Sequence, residues 1–112
     1  MRAMSTLEIS LARALLCERN DENEILKQLD HASVTERSND GWVLEFHIPG
    51  IVKKNGKMKV LSEGHFEEKD GNIIASVIFF ADENGAPYEL EVCGYSNDAA
   101  RPFPDLSTLR VY

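Results

Sequence analysis

Cysteine is nearly absent from this chain, with only Cys17 and Cys93 among 112 residues. Two cysteines so far apart cannot build a disulfide framework, and no C-x-x-C spacing offers a metal or redox pair. Both are expected to be free, buried thiols that serve as small hydrophobes. Long hydrophobic runs are missing too: no stretch approaches the ~18 apolar residues a membrane helix needs. Glu8 also interrupts the only segment that could act as a signal-peptide core. The expectation is a cytoplasmic protein without a membrane partner. Positive charge is scarce, since 12 basic against 19 acidic side chains leave a net charge of −7. Such a surface repels phosphate backbones, which disfavours a nucleic-acid partner and suits a basic protein.

Catalytic signatures are lacking as well. There is no G-x-S-x-G elbow, phosphate-cradling glycine loop, dinucleotide fingerprint or H-E-x-x-H pair. The glycines fall at turn positions, which accounts for them. No catalytic residue and no cofactor is therefore expected.

What the chain does contain is an ordinary globular balance, 43% hydrophobic and 28% charged, too apolar for disorder. At this length residues 1–112 are expected to form a single α+β domain, burying roughly two-thirds of the unfolded surface. Two helices come first. Ser5 and Glu8 have capping-box spacing, and Leu7, Leu11, Ala14 and Leu15 follow as one apolar stripe. Asp21 and Glu24 offer a second cap, before a short helix carrying Ile25, Leu26 and Leu29 and ending near His31.

From residue 33 the period changes to two. Trp42, Leu44, Phe46 and Ile48 alternate with Val43, Glu45 and His47, and similar half-buried strands are readable near 58–68 and 87–95. Residues 73–81 are apolar on both faces, as in a covered central strand. Asn39-Asp40-Gly41, Asn55-Gly56, Asp70-Gly71 and Asn84-Gly85 supply hairpin turns, and short turns favour adjacent antiparallel strands. The tail after Tyr95, with Pro102 and Pro104, is expected to lie extended along the sheet. The architecture this implies is two N-terminal helices packed on one face of an antiparallel four- to five-stranded meander sheet.

The face away from the helices carries the chemistry. Alternation places Glu45 and His47 there on one strand, and Glu63, His65 and Glu67 on its expected neighbour, with Glu89 and Glu91 able to join them. Histidine and carboxylate on adjacent strands could hold a divalent metal or act as acid–base groups. The same spacing is also that of any solvated strand face. Lys53, Lys54, Lys57 and Lys59 form a basic loop that could dock an anion or an acidic partner, but a hairpin tip kept soluble by lysines is the better explanation, since no aromatic residues interleave for base stacking. Apolar residues share the outward face: Val43, Leu61 and either the Ile74, Ile78, Phe80 set or the alternating set of that strand, whose parity is open because both of its faces are apolar. Apolar side chains framed by glutamates suit a covered surface. The cover could be the tail with Phe103, a second copy of the chain, or another protein.

The segments QLDHASV (28–34), GWVLEF (41–46), VIFFADENGAPYELEV (77–92), YSND (95–98) and PFPDLSTLR (102–110) together resemble a bacterial family of small uncharacterised α+β proteins. The chain departs from that pattern at Cys93 and Gly94, and at Phe103-Pro104-Asp105-Leu106, where a second proline is commoner. The resemblance implies no reaction, cofactor or site residue. Small acidic bacterial proteins of this kind include antidotes to toxins, an analogy of type only.

The leading functional expectation is a non-catalytic protein-binding module, immunity-type or regulatory, acting on another protein or on itself as a homodimer. Glu45, Glu63, Glu89 and Glu91 would supply charge, Tyr95 and Phe103 aromatic anchors, and His47 and His65 would lie among them. The alternatives are a small-ligand or metal-dependent enzyme using the His/Glu face, and a self-associating structural protein.

Overall fold

In the computed structural model, residues 1–37, 42–51, 56, 59–94 and 104–112 are described. The first helix, α1 (Thr6–Leu16), starts at the expected cap. The backbone N–H of Glu8 donates to Ser5 Oγ at 3.2 Å, and the Ser5 N–H donates to Glu8 Oε1 at 2.8 Å. The buried stripe of α1 is rotated from the expected one. Leu11, Ala12, Leu15 and Leu16 face inward, whereas Leu7 is exposed and Ala14 half-buried. Cys17, expected to be buried, is exposed at the helix C-cap, and Cys93 is exposed at a strand end.

The second helix, α2 (Glu22–Leu29), has Asp21 at its N-cap position but receives no side-chain cap from it. That carboxylate is taken by Arg19, whose Nε and Nη2 reach it at 2.8 and 3.0 Å. The Arg19 hydrogen bond holds the Asp21 carboxyl below the usual carboxylate range. The remaining Arg19 nitrogen donates to the Leu61 carbonyl, tying the interhelical turn to the sheet.

Among the described residues the sheet has seven strands where the sequence suggests four or five: β1 (Arg2–Ala3), β2 (Ser33–Arg37), β3 (Trp42–His47), β4 (Lys59–Glu67), β5 (Ile73–Ala81), β6 (Pro87–Cys93) and β7 (Leu109–Val111). All pairings are antiparallel, in the order β1-β2-β3-β6-β5-β4-β7. The expected simple meander is thus interrupted, because β3 pairs with β6 and not with the next strand in the chain. The three added strands are two, five and three residues long, too short to show a period against a polar background. Gly71 and Gly85 take the left-handed φ of 88° and 84° that their hairpins require. The turn at Asn39-Asp40-Gly41 and residue 55 of the Asn55-Gly56 turn lie outside the described residues.

One core joins the layers. Leu11, Leu15, Leu16 and Ile25 from the helices meet Val34, Leu44, Phe46, Phe66, Val77, Phe79, Leu90 and Val92 from the sheet. Phe46 and Phe79 stack with centroids 5.5 Å apart. Among the described residues, no helix is long and apolar enough to cross a membrane.

The sheet edge and helix α1 are joined by an ionic cluster in which Glu8 is buried while Arg2 and Glu36 are exposed. Arg2 Nη1 and Nη2 meet the two Glu8 oxygens at 2.8 and 2.7 Å, and Nη2 also reaches Glu36 Oε2 at 3.1 Å. The Trp42 indole N–H donates to the other Glu36 oxygen at 2.6 Å. Burial pushes the Glu8 carboxyl up, but the Arg2 guanidinium and the Ser5 N–H outweigh it and hold Glu8 below the ordinary range. A depressed carboxyl contributes stability above its unfolded pKa and loses it as pH falls through the folded value. Glu8→Gln should therefore destabilise the protein at pH 7 by on the order of 1–2 kcal/mol. In urea unfolding at stepwise lower pH, the gap between the two proteins should close below the normal Glu range. An unchanged gap at pH 3 would show that the ion pair contributes nothing.

Candidate functional site

Strand parity and sheet order together decide which side chains share the outward face. On the β3–β6 half the pairs are Val43 with Glu91 and Glu45 with Glu89. On the β5–β4 half, Ile78 lies opposite Glu63, Ser76 opposite His65 and Phe80 opposite Val60. Ile78 also pairs with Glu91 and Phe80 with Glu89. One row across the face thus reads Arg37, Val43, Glu91, Ile78, Glu63, an alternation of charged and apolar side chains.

Three of the four expected glutamates, Glu45, Glu89 and Glu91, are brought onto adjacent strands, and Glu63 stands in the same row as Glu91. Like charges directly opposite repel, and the Glu45–Glu89 pair is relieved in part by Arg37. That guanidinium reaches over β3 to Glu89 Oε1 at 2.9 Å, where Glu89 is only 6% exposed. Glu89 is thereby engaged inside the molecule, while Glu63 is exposed.

The expected partnership of His47 with His65 does not form. It assumed that β3 and β4 are neighbours, but β6 and β5 lie between them, a separation of roughly 14 Å at about 4.8 Å per strand. His47 instead bonds Thr35 Oγ1 through Nε2 at 3.0 Å. Among the described residues, no group of three or more His, Cys, Asp or Glu side chains could hold a metal ion. Leu61, expected on the outward face, is 7% exposed and belongs to the core. A register shift between Val60 and Ser62 reverses its direction. Tyr95, Phe103, Lys53, Lys54 and Lys57 lie outside the described residues; Lys59 is exposed at the start of β4.

A cluster that sequence spacing only half revealed surrounds His65. Its Nε2 lies 2.7 Å from Glu67 Oε1 and its Nδ1 lies 2.8 Å from the Tyr112 hydroxyl. Arg110 Nε stands 3.7 Å from the second Glu67 oxygen. In the tautomer whose Nε2–H donates to the carboxylate, Nδ1 accepts a hydrogen bond from the Tyr112 hydroxyl. Glu67 and His65 were legible as i and i+2 on one strand. Tyr112 and Arg110 were not, because β7 is a three-residue strand whose position depends on β4.

What seats β7 is a glycine. Gly64 pairs with Val111, and a methyl group in its place would overlap the Arg110 carbonyl. The Tyr112 N–H then donates to the Glu63 carbonyl at 2.9 Å, continuing the pairing.

Comparison with known proteins finds no matching family model, curated protein or solved structure.

Gly64→Ala should force β7 off β4 and cost about 1–3 kcal/mol. In hydrogen exchange the Tyr112 amide should lose protection while amides of the β5–β6 pairing keep theirs. Retained Tyr112 protection would show that β7 docks without this close approach.

Proposed function

We propose that this protein is a non-catalytic protein-binding module that uses the outward sheet face to take a basic partner. The observation that carries the reading is the make-up of the β4–β5 half of that face. Exposed Val60 (52%) and Ile74 (36%) flank half-buried Ile78 and Phe80, with exposed Glu63 beside them, on a chain of net charge −7. Apolar side chains give a partner area to bury, and carboxylates at their margin select its charge and speed encounter. Engagement of Glu89 with Arg37 moves the emphasis to Glu63 as the charged contact. A role as an immunity-type or regulatory protein fits this chemistry, and a cytoplasmic setting fits the composition.

A second reading rests on the hydrogen-bonded Glu67–His65–Tyr112 series. A histidine oriented by a carboxylate and joined to a phenol can pass a proton, so acid–base chemistry on a small ligand is the alternative function.

The deciding experiment is capture of partners from host lysate on the tagged protein, with Glu63→Arg and Ile78→Asp as parallel baits. The expected result is a stoichiometric basic protein whose affinity falls at least tenfold for each variant. A partner held equally by both variants would remove this face from the interaction. Recovery of the chain alone would favour the acid–base reading, and a homodimer would favour self-association.

A further inference from the structure

On the helical side, a groove of about 260 Å³ opens between the N-terminal segment, α1 and α2. Two small buried side chains line it. Ala12 of α1 and Ala32, just before β2, are both buried, yet each fills only the volume of a methyl group. Around them Met4, Ile9, Leu26 and Leu29 supply aliphatic walls. Ile9 is 38% exposed, so part of this wall faces water.

Two charges of opposite sign line the same groove, Arg13 on α1 and Asp30 at the C-cap of α2. They do not bond to each other. Among the described residues neither side chain has a hydrogen bond or an ion pair. The contrast with the other described arginines is informative. Arg2, Arg19, Arg37 and Arg110 each lie within 4 Å of a carboxylate, whereas Arg13 does not. Asp30 also stands at the negative end of α2, where the helix dipole adds to its attraction for a cation.

We propose that this groove binds a free aliphatic α-amino acid such as leucine or methionine. Its side chain would enter between Ala12, Leu26 and Leu29, its carboxylate would face Arg13, and its ammonium would face Asp30. A fatty acid would satisfy Arg13 but bring its carboxylate near Asp30, and an alkylamine would have the reverse conflict. Only a zwitterion matches both charges. The volume lies just below the usual range for drug-sized ligands, which suits a molecule of this size. The site is separate from the outward sheet face, so its test is independent of the protein-binding reading.

The test is a two-dimensional amide NMR titration of the full chain with L-leucine and L-methionine, up to about 20 mM, because so small a ligand in an open groove binds on the order of 1 mM. Saturable shifts are expected at the Ala12, Leu29 and Ala32 amides. Leucine amide and 4-methylpentanoate, each lacking one charged head, should bind about fivefold more weakly. Arg13→Gln and Asp30→Asn should each weaken leucine by a similar factor. Both side chains are exposed and unbonded, so both variants should keep the parent spectrum elsewhere. Absence of saturable shifts with leucine would overturn the proposal. So would equal binding of leucine amide or 4-methylpentanoate, or undiminished leucine binding by both variants.

Discussion

The pairing of β3 with β6 holds the two halves of this protein together. Everything N-terminal to it, the β1-β2-β3 ribbon, and everything C-terminal to it, the β4-β5-β6 hairpins with β7, reaches the other half of the sheet through this one ladder. It sets Trp42 against Val92 and Leu44 against Leu90, all buried on the helix side. A one-residue slip of β3 would turn Trp42 and Leu44 outward and bring Val43 and Glu45 into the core, and a slip of β6 would exchange Leu90 and Val92 for Glu89 and Glu91. The register is thus enforced by the cost of burying carboxylates as much as by the gain from burying leucine. Because the contact joins residues about 50 apart in sequence, its loop-closure entropy is met before its contacts form.

From that ladder the two faces acquire different characters. The inward face shares one core with helices whose buried positions are almost entirely apolar, Glu8 being the exception. Burial of Glu8 is tolerated because Arg2 and the Ser5 N–H surround its carboxylate. The outward face mixes signs and apolar groups in one row. Arg37 neutralises part of the acidic pair Glu45–Glu89, while Glu63 and the nearby Ile74 and Val60 are left toward solvent. The same sheet therefore offers a chemically uneven surface, engaged internally around β3 and β6 and more open around β4 and β5.

Local signals transmitted well where the chain is regular. The capping box at Ser5, the strands over 42–47 and 73–81, and the glycine turns at Gly71 and Gly85 all follow from nearest-neighbour chemistry. They failed where a distant group competes. Asp21 has the residue type for a cap, yet Arg19 claims its carboxylate. Leu61 has outward parity, yet a bulge turns it inward. Ala12 and Leu16 replace Leu7 and Ala14 in the buried stripe of α1 because the helix is rolled to fit the sheet, a choice that helical periodicity alone leaves open by about one residue.

The sequence alone determined the class, α+β with two helices and an antiparallel sheet, and the alternation of Trp42, Leu44 and Phe46 with Val43, Glu45 and His47. These depend on residues within a few positions of one another, where sterics and hydrogen bonding act directly. Only the tertiary structure decided strand order, the three short strands, and which candidate residues meet. It separated His47 from His65, brought Tyr112 and Arg110 to the latter, and placed Arg13 and Asp30 on one groove. Each of those outcomes is a juxtaposition of elements remote in the chain, fixed by how the whole sheet and its helices share one core.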